Sequence, residues 1–506
     1  MLKTKQNQVG PFREWFGGLA PPLWARAILK KQGAELYVVG GAVRDALLGR
    51  KDRRDLDLVV RGIPLTALTR LLKKFGAVNE VGRTFGVLKF VPRGQKDGAA
   101  IDIALPRTEF SFGTGGYKDV ETKSRHTLPL TQDLQRRDFT VNAMAWDLGA
   151  GALFDPLGGE RDLSKKILRA VGAPAARFKE DYTRILRLLR FSVELGFAIH
   201  PATWSAAKKL APRLNDRRAG QWVVPRELVA KELLKAFATD PLAAFDFFDR
   251  AGIWRVLVPE IEAMKRVPQP KEYHTEGDVW QHTRLALQTL VWSKFAKKFP
   301  DGWDAETALG VLFHDIGKPP TLKTPEKHGV DRVRFDGHDK QGSHMTRAVA
   351  ERLALSSYKA PRVDVSPERL EWIVAHHLLM VSADIEELRP RTIEKYFLSE
   401  KNPGDSLRKI MFCDVAATLS RNGRPFWTSF NALERRIKKI AVRQTKKGEM
   451  PKALLNGDEI MRAVKIKPGP AVGKLIAALR DKQLAGKVKN KKAALKLVRS
   501  IAGKLD

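Results

Sequence analysis

The sequence predicts an α+β chain: one small domain on a mixed sheet, then a long all-α remainder. Short apolar runs with strand character, "ELYVVGG", "DLDLVV", "GVLKFV" and "AAIDIAL", fall between residues 35 and 105. One helical run, "PLTALTRLLKKFG", lies among them. From about Glu160 the apolar spacing turns helical and stays so. At 506 residues the chain is too long for one hydrophobic core and calls for several domains.

Breaks rich in Pro and Gly, near "RVPQPKEYHTEGD", "DGWD" and "KNPGD", mark the boundaries. The expected organisation is a helical extension over 1–34, a sheet domain over 35–159 and a helical neck and body over 160–265. A second helical domain covers 266–420 and a basic helical tail 421–506. "PPLWARAILKKQG" reads as an amphipathic helix that props the first strand. Lys and Arg number 91 against 57 Asp and Glu, a formal net charge of +34. That excess points to a polyanionic partner, with nucleic acid first. No apolar run spans a bilayer and the start lacks a signal peptide, so no membrane partner is expected. One cysteine, Cys413, excludes a disulfide framework and fits a reducing cytoplasm.

The first strand runs into a Gly40-Gly41 turn and the helix "AVRDALLG". Such a turn lets a phosphate reach backbone N–H groups at a helix N-terminus, and Arg44 adds a charged donor. In "RRDLDLVV", strand alternation puts Asp55 and Asp57 on one face, about 7 Å apart. Two such carboxylates repel unless a cation joins them, and Mg²⁺ with substrate phosphates fits. Asp102 in "AAIDIAL" is a candidate third carboxylate.

"VGGAVRDALLG…RRDLDLVV" resembles the head signature of the class II nucleotidyltransferases of the polymerase β superfamily, the tRNA CCA-adding enzymes and bacterial poly(A) polymerases. "RRDFTVNAMAWD" (136–147) and "EDYTRILRLLRFSVELGF" (180–197) resemble that family's next two motifs, in order. Asp181, Arg184 and Arg187 are expected as one polar stripe on a helix, opposite Ile185, Leu186, Leu189 and Val193. Cytosine and adenine each show an amino donor beside a ring-nitrogen acceptor, which a carboxylate and a guanidinium can pair. The resemblance gives Asp181 and Arg184 that base-selecting role. It gives Gly40, Gly41, Arg44, Arg137 and Arg187 contacts to the nucleotide, and Asp55 and Asp57 the catalytic centre, to which the strand reading adds Asp102. "FSFGTGGYKD" lies where the family has a mobile loop.

Most of the 10 histidines gather between residues 274 and 377. With nearby carboxylates they suit one or two divalent ions with an open water position. The order of "VWQHTRLAL", "FHDIGKPPT", "FDGHDKQGSHM", "IVAHHLLM" and "MFCDVAATLS" resembles the HD phosphohydrolase superfamily. The resemblance implies His282, His314, Asp315 and Asp414 as ligands, with His338 and His377 as further ones. Spacing leaves His376 and His377 undivided. Ni²⁺, Co²⁺ or Mn²⁺ would be the ion. "LNGDEIMRAVKIKPGPAVGKLIAAL" resembles the C-terminal element of HD-containing CCA-adding enzymes, and its Pro468–Gly473 turn could face an RNA phosphate.

Together these imply template-independent addition of CMP and AMP, from CTP and ATP, to the 3′ end of tRNA, with an HD phosphatase or phosphodiesterase activity beside it. A CC-only or A-only enzyme, a poly(A) polymerase and a non-enzymatic RNA-binding scaffold are the alternatives.

Overall fold

Strand β1 (Glu35–Val39) buries Leu36, Tyr37, Val38 and Val39, so both of its faces must be covered. The structure, a computed structural model, describes residues 21–50, 56–81, 86–94, 100–382, 385–443 and 450–503. The chain divides into two compact units. One holds Met1–Ala236 and Phe247–Leu257, the other Phe237–Asp246 and Val258–Asp506.

In the first unit β1 lies inside a mixed sheet with β2 (Asp57–Arg61), β3 (Gly76–Val81), β4 (Val87–Pro92), β5 (Ile101–Ala104), β8 (Ala145–Asp147) and β9 (Ala152–Phe154). The strand order is β3-β4-β5-β2-β1-β8-β9. β2 and β5 run parallel, with Asp57 opposite Asp102. On one face Tyr37, Val39 and Val59 pack with Leu130 and Leu134. Helix α1 (Leu23–Leu29) sets Trp24 edge-on to Phe90, ring centroids 5.4 Å apart. β6 (Arg107–Ser111) and β7 (Val120–Ser124) form a separate hairpin whose connection is the glycine-rich stretch. β3 and β6 to β9 are absent from the sequence expectation. β8 and β9 have three residues each, too few to show alternation.

After β1 comes α2 (Gly41–Leu47), and α3 (Leu65–Leu72) follows β2. Farther on lie α4 (Leu130–Gln135), α5 (Pro174–Glu180), α6 (Thr183–Leu195) and α7 (Pro201–Leu210). α6 buries Ile185, Leu186, Leu189 and Val193 and stops at Gly196 in the left-handed region. Two short pairs interrupt this helical region, β10 (Ile167–Leu168) with β11 (Ala198–Ile199) and β12 (Arg217–Arg218) with β13 (Gln221–Trp222).

The second unit is helical. α8 (Val279–Thr289), α9 (Ala305–Phe313) and α11 (Pro367–His376) are capped by Asp278, Asp304 and Ser366, whose side chains accept from Gln281, Thr307 and Arg369 N–H groups. α10 (His338–Arg352) comes close to the "HDIGK" turn. A Cβ on Gly317 would lie 2.1 Å from the His338 carbonyl oxygen, so only glycine fits there. α12 (Gly404–Ala417) carries Asp414. At the C-terminal end α13 (Gly457–Val464), α14 (Pro470–Leu484) and α15 (Lys491–Ala502) share a small core with Leu455, Ile460, Leu475 and Val498. An Asn456–Glu459 capping box starts α13. The architecture is α+β: a mixed-sheet head and a helical remainder.

Candidate catalytic cleft and metal centre

A cleft of about 660 Å³ in the first unit is lined by Gly40, Gly41, Arg44, Asp57, Asp102, Arg137, Asp181, Arg184 and Arg187. The turn that opens it depends on glycine. Gly40 has φ +78°, and a Cβ there would lie 2.8 Å from Arg137 Nη1. Asp57 begins β2 on an exposed position, and its parallel register partner is Asp102. Asp102 Oδ1 is buried without a hydrogen-bond partner among the described residues, and Lys89 Nζ stands 3.4 Å from it. Two carboxylates brought into register on neighbouring strands suit a divalent cation. Asp55 lies outside the described residues.

The arginines are held by groups that the sequence reading did not assign. Arg44 donates from Nε and Nη2 to Asp45 at 2.9 Å each, and from Nη1 to Asn142 Oδ1 at 2.7 Å. Asn142 donates onward to Asp138 Oδ1 at 3.1 Å. Asp138 Oδ2 accepts from Arg187 Nε at 2.9 Å and Nη2 at 2.5 Å. Burial opposes the Asp138 charge, but Arg187 outweighs it and holds the carboxyl down to about 2. Asp138 raises the Arg187 guanidinium in turn. Beneath this chain the Phe191 ring lies under three guanidinium carbons, Arg190 at 3.8 Å, Arg44 at 5.1 Å and Arg187 at 5.4 Å. Arg137 Nη2 reaches buried Asp133 at 3.3 Å. Asp138 and Asn142 are polar positions four apart in the apolar run "DFTVNAMAW", the signal that could have found them.

The expected stripe is corrected in one respect. Asp181 is not helical: at φ −159° and ψ 106° it ends α5 and precedes α6. Its Oδ1 accepts from Thr183 N at 2.8 Å and Thr183 Oγ1 at 2.5 Å, so the carboxylate caps the start of α6 and breaks the helix. Arg184 and Arg187 lie on α6, and Arg184 Nε stands 4.0 Å from Asp181 Oδ2. Glu180 anchors Arg184 at 2.6 Å and Arg177 at 2.8 Å. Burial raises the Asp181 carboxyl, offset in part by Thr183 and Arg184. The β6–β7 connection sits against this corner. Tyr182 N donates to Gly115 O at 3.0 Å, and Tyr117 lines the cleft.

In the second unit four imidazoles present their Nε2 atoms to one place. His314, His338 and His377 each place Nδ1 against a backbone carbonyl three residues back, at 2.7, 2.8 and 2.6 Å. His282 Nδ1 meets Glu276 Oε1 at 2.9 Å. This fixes the tautomer that leaves Nε2 free to ligate. His282 Nε2 stands 3.2 Å from His314 Nε2 and 3.1 Å from Asp414 Oδ1. Asp315 lies 3.4 Å from His338 Nε2 and 3.9 Å from His377 Nε2. Ligand atoms of His282, His314 and Asp414 lie within 4.8 Å of one another, as do those of Asp315, His338 and His377. His338 Nε2 and His377 Nε2 are buried without a hydrogen-bond partner among the described residues, which fits a divalent metal centre. Burial, with His314 and His338 nearby, pushes His377 down to about 4, so its imidazole is neutral at pH 7.

His376 points elsewhere, stacked on Trp372 at 4.4 Å and Tyr396 at 4.9 Å. Two further residues support the centre. Lys318 Nζ pairs with Asp315 Oδ2 at 2.6 Å. Glu276 joins His282, His274 and the Leu419 N–H. Both stand inside stretches that the sequence reading quoted.

Three domain families match the chain: the poly A polymerase head domain over residues 36–169, the HD domain over 289–417, and a putative second domain of tRNA nucleotidyltransferases over 409–498. The chain is 34% identical to the multifunctional CCA protein of Nitrosococcus oceani over 363 residues, 71% of this chain and 78% of that one. It is 35% identical to the multifunctional CCA protein of Xanthomonas campestris pv. campestris over 366 residues, with the same shares. The fold resembles the Bacillus stearothermophilus CCA-adding enzyme in complex with CTP, at TM-score 0.60, 22% identity and 98% of each chain. It also resembles the Thermotoga maritima CCA-adding enzyme complexed with tRNA, at TM-score 0.58, 21% identity, and 100% and 99% of the two chains.

Proposed function

This chain belongs to the family of the multifunctional CCA proteins and is a nucleotidyltransferase, and we propose that its head cleft joins CMP and AMP, from CTP and ATP, to the 3′ end of tRNA. One observation carries the reading: a single cleft gathers a glycine turn, a register pair of carboxylates, three guanidiniums and an Asp–Arg pair able to read a base edge.

The tRNA 3′ hydroxyl attacks the α-phosphorus, the bond to the bridging α–β oxygen breaks, and pyrophosphate leaves. Arg44, Arg137 and the N–H groups after Gly40 bind the triphosphate. Asp57 and Asp102, with Asp55, would hold Mg²⁺, which when bound supplies charge stabilisation at the attacking and leaving oxygens. Asp102 would be the carboxylate to take the hydroxyl proton. Asp181 accepts from the amino group of cytosine or adenine, and Arg184 donates to the adjoining ring nitrogen. Arg187, tied to Asp138, fixes α6 against the triphosphate side.

The second unit's histidines and aspartates would hold a transition metal such as Ni²⁺, Co²⁺ or Mn²⁺, which when bound supplies an activated water for hydrolysis of 3′ or cyclic phosphates. Among the described residues no helix is long and apolar enough to cross a membrane. Buried, unpaired Cys413 accords with a cytoplasmic protein.

The test is incubation with tRNA lacking its 3′ end, with each NTP singly and in mixture, and sequencing of the products. Ordered C, C, A addition is expected. Addition of only one base, or a poly(A) tract, would overturn the full CCA reading.

A further inference from the structure

The metal centre of the second unit is closed on one side and open on the other. His282, His314, Asp315 and His377 have side chains at most 3% exposed. Asp414 and His338 keep 18% and 9%. A substrate therefore reaches the centre past Asp414 and His338. One aromatic ring stands at that opening. Phe335, half-buried, sets its ring 6.3 Å from the His338 ring and at 78° to it. The Lys318 ammonium, paired with Asp315, lies 5.4 Å from the Phe335 centroid. The backbone of Phe335 is fixed twice. Its carbonyl meets His338 Nδ1 at 2.8 Å and accepts from His338 N at 3.1 Å. Just before it, Lys323 and Arg334 exchange backbone N–H···O bonds of 2.9 Å each, which pin the strap between them.

Holding His338 through a carbonyl needs no aromatic side chain, since any residue supplies that oxygen. A ring that served only the core would be wholly buried, whereas this one keeps exposed surface beside the centre's open side. A phosphate that enters the centre leaves its ester group next to this ring. Every nucleobase has a π-face that stacks on an aromatic side chain, and a ribose joins that base to its 2′ or 3′ phosphate. Resting on the hydrolase reading above, we propose that Phe335 is a specificity-determining residue of the metal centre. It stacks the base of the nucleotide whose phosphate enters the centre, and so selects nucleoside phosphates over phosphate esters that lack a base. Stacking tolerates any base, so the ring sorts nucleotides from other esters rather than one base from another.

The probe is adenosine 3′-phosphorothioate, a slowly hydrolysed nucleotide. It is titrated calorimetrically into the full chain with and without Ni²⁺, beside inorganic phosphate, which has no base. The Ni²⁺-dependent part of the binding separates this centre from the head cleft. Phe335→Leu should weaken that part about tenfold for the nucleotide and leave inorganic phosphate unchanged. Phe335→Tyr keeps a stacking ring and should bind the nucleotide as the wild type does. Ni²⁺ affinity, by competition with a chelator, should equal that of the wild type in both variants. Equal nucleotide binding by Phe335→Leu and wild type overturns the proposal. So does an equal loss for inorganic phosphate, which would make the ring a prop for Lys318 and His338. A wild type whose binding of both probes ignores Ni²⁺ defeats the hydrolase reading itself, and the proposal with it.

Discussion

Asp138→Asn tests the frame that holds the cleft's arginines. Four donors converge on this buried carboxylate: Phe139 N at 2.8 Å, Asn142 Nδ2 at 3.1 Å, and Arg187 Nε and Nη2 at 2.9 and 2.5 Å. Asparagine keeps the shape but brings an NH₂ group. Whichever way the amide turns, that group faces a donor, and Arg187 loses its counter-charge. Breaking a buried ion pair from one side costs about 3–5 kcal/mol. Protonating the carboxyl is a milder form of the same loss. With its pKa held at about 2 against an ordinary 3.8, the pair contributes about 2 kcal/mol. The folded value is the lower one, so this contribution is complete above about pH 4 and is lost as pH falls through about 2. The assay is urea-dependent hydrogen exchange of head peptides over 136–146, because a two-unit chain has no single unfolding free energy. The variant should lose roughly 3 kcal/mol or more of protection at pH 7, and the gap to the wild type should narrow below pH 4. A loss under about 1 kcal/mol, or a gap that widens in acid, would refute the reasoning.

Phe191→Leu removes the ring shared by Arg44, Arg187 and Arg190. At about 0.5–1 kcal/mol per contact, kcat/KM for CTP and ATP in steady-state assays should fall roughly tenfold, with Phe191→Tyr close to wild type. Asp181→Ala should relax rejection of UTP and GTP, at about 1–3 kcal/mol per mispaired group, more than it weakens triphosphate binding in single-turnover assays of all four NTPs. Because burial raises the Asp181 carboxyl, the wild type's preference for CTP should begin to fade on acidification at a higher pH than an ordinary aspartate would give. Glu276→Gln loosens the His282 ring and should lower transition-metal affinity about 10- to 100-fold by competition with a chelator, while nucleotide addition is kept.

Much of this was legible in the residues because the elements that carry chemistry are also the most strongly patterned. "LYVVGG" and "DLDLVV" are buried strands with polar ends, and they set Gly40, Gly41 and Asp57 at the cleft. Spacing along one strand could not show that Asp102 comes into register with Asp57, since that pairing joins segments over 40 residues apart through a parallel crossover. The helical stripe failed at Asp181 because period 3.6 assumes an unbroken helix, whereas a carboxylate two residues before Thr183 competes for that residue's N–H. Spacing left His376 and His377 undivided for a related reason. Neighbours on a helix point about 100° apart, and only packing decides which imidazole faces inward. The supporting groups Asp138, Asn142 and Glu276 were quoted but unassigned, because their work is to hold other side chains.

The central claim is that the first unit's carboxylates carry nucleotide transfer. Its most direct test is single-turnover CMP addition to tRNA lacking its 3′ end, by Asp57→Ala and wild type, with tRNA affinity measured on the same preparations. The account predicts a loss on the order of a thousandfold, about 4 kcal/mol of transition-state stabilisation, with tRNA affinity unchanged. Addition at near the wild-type rate by the variant would contradict it.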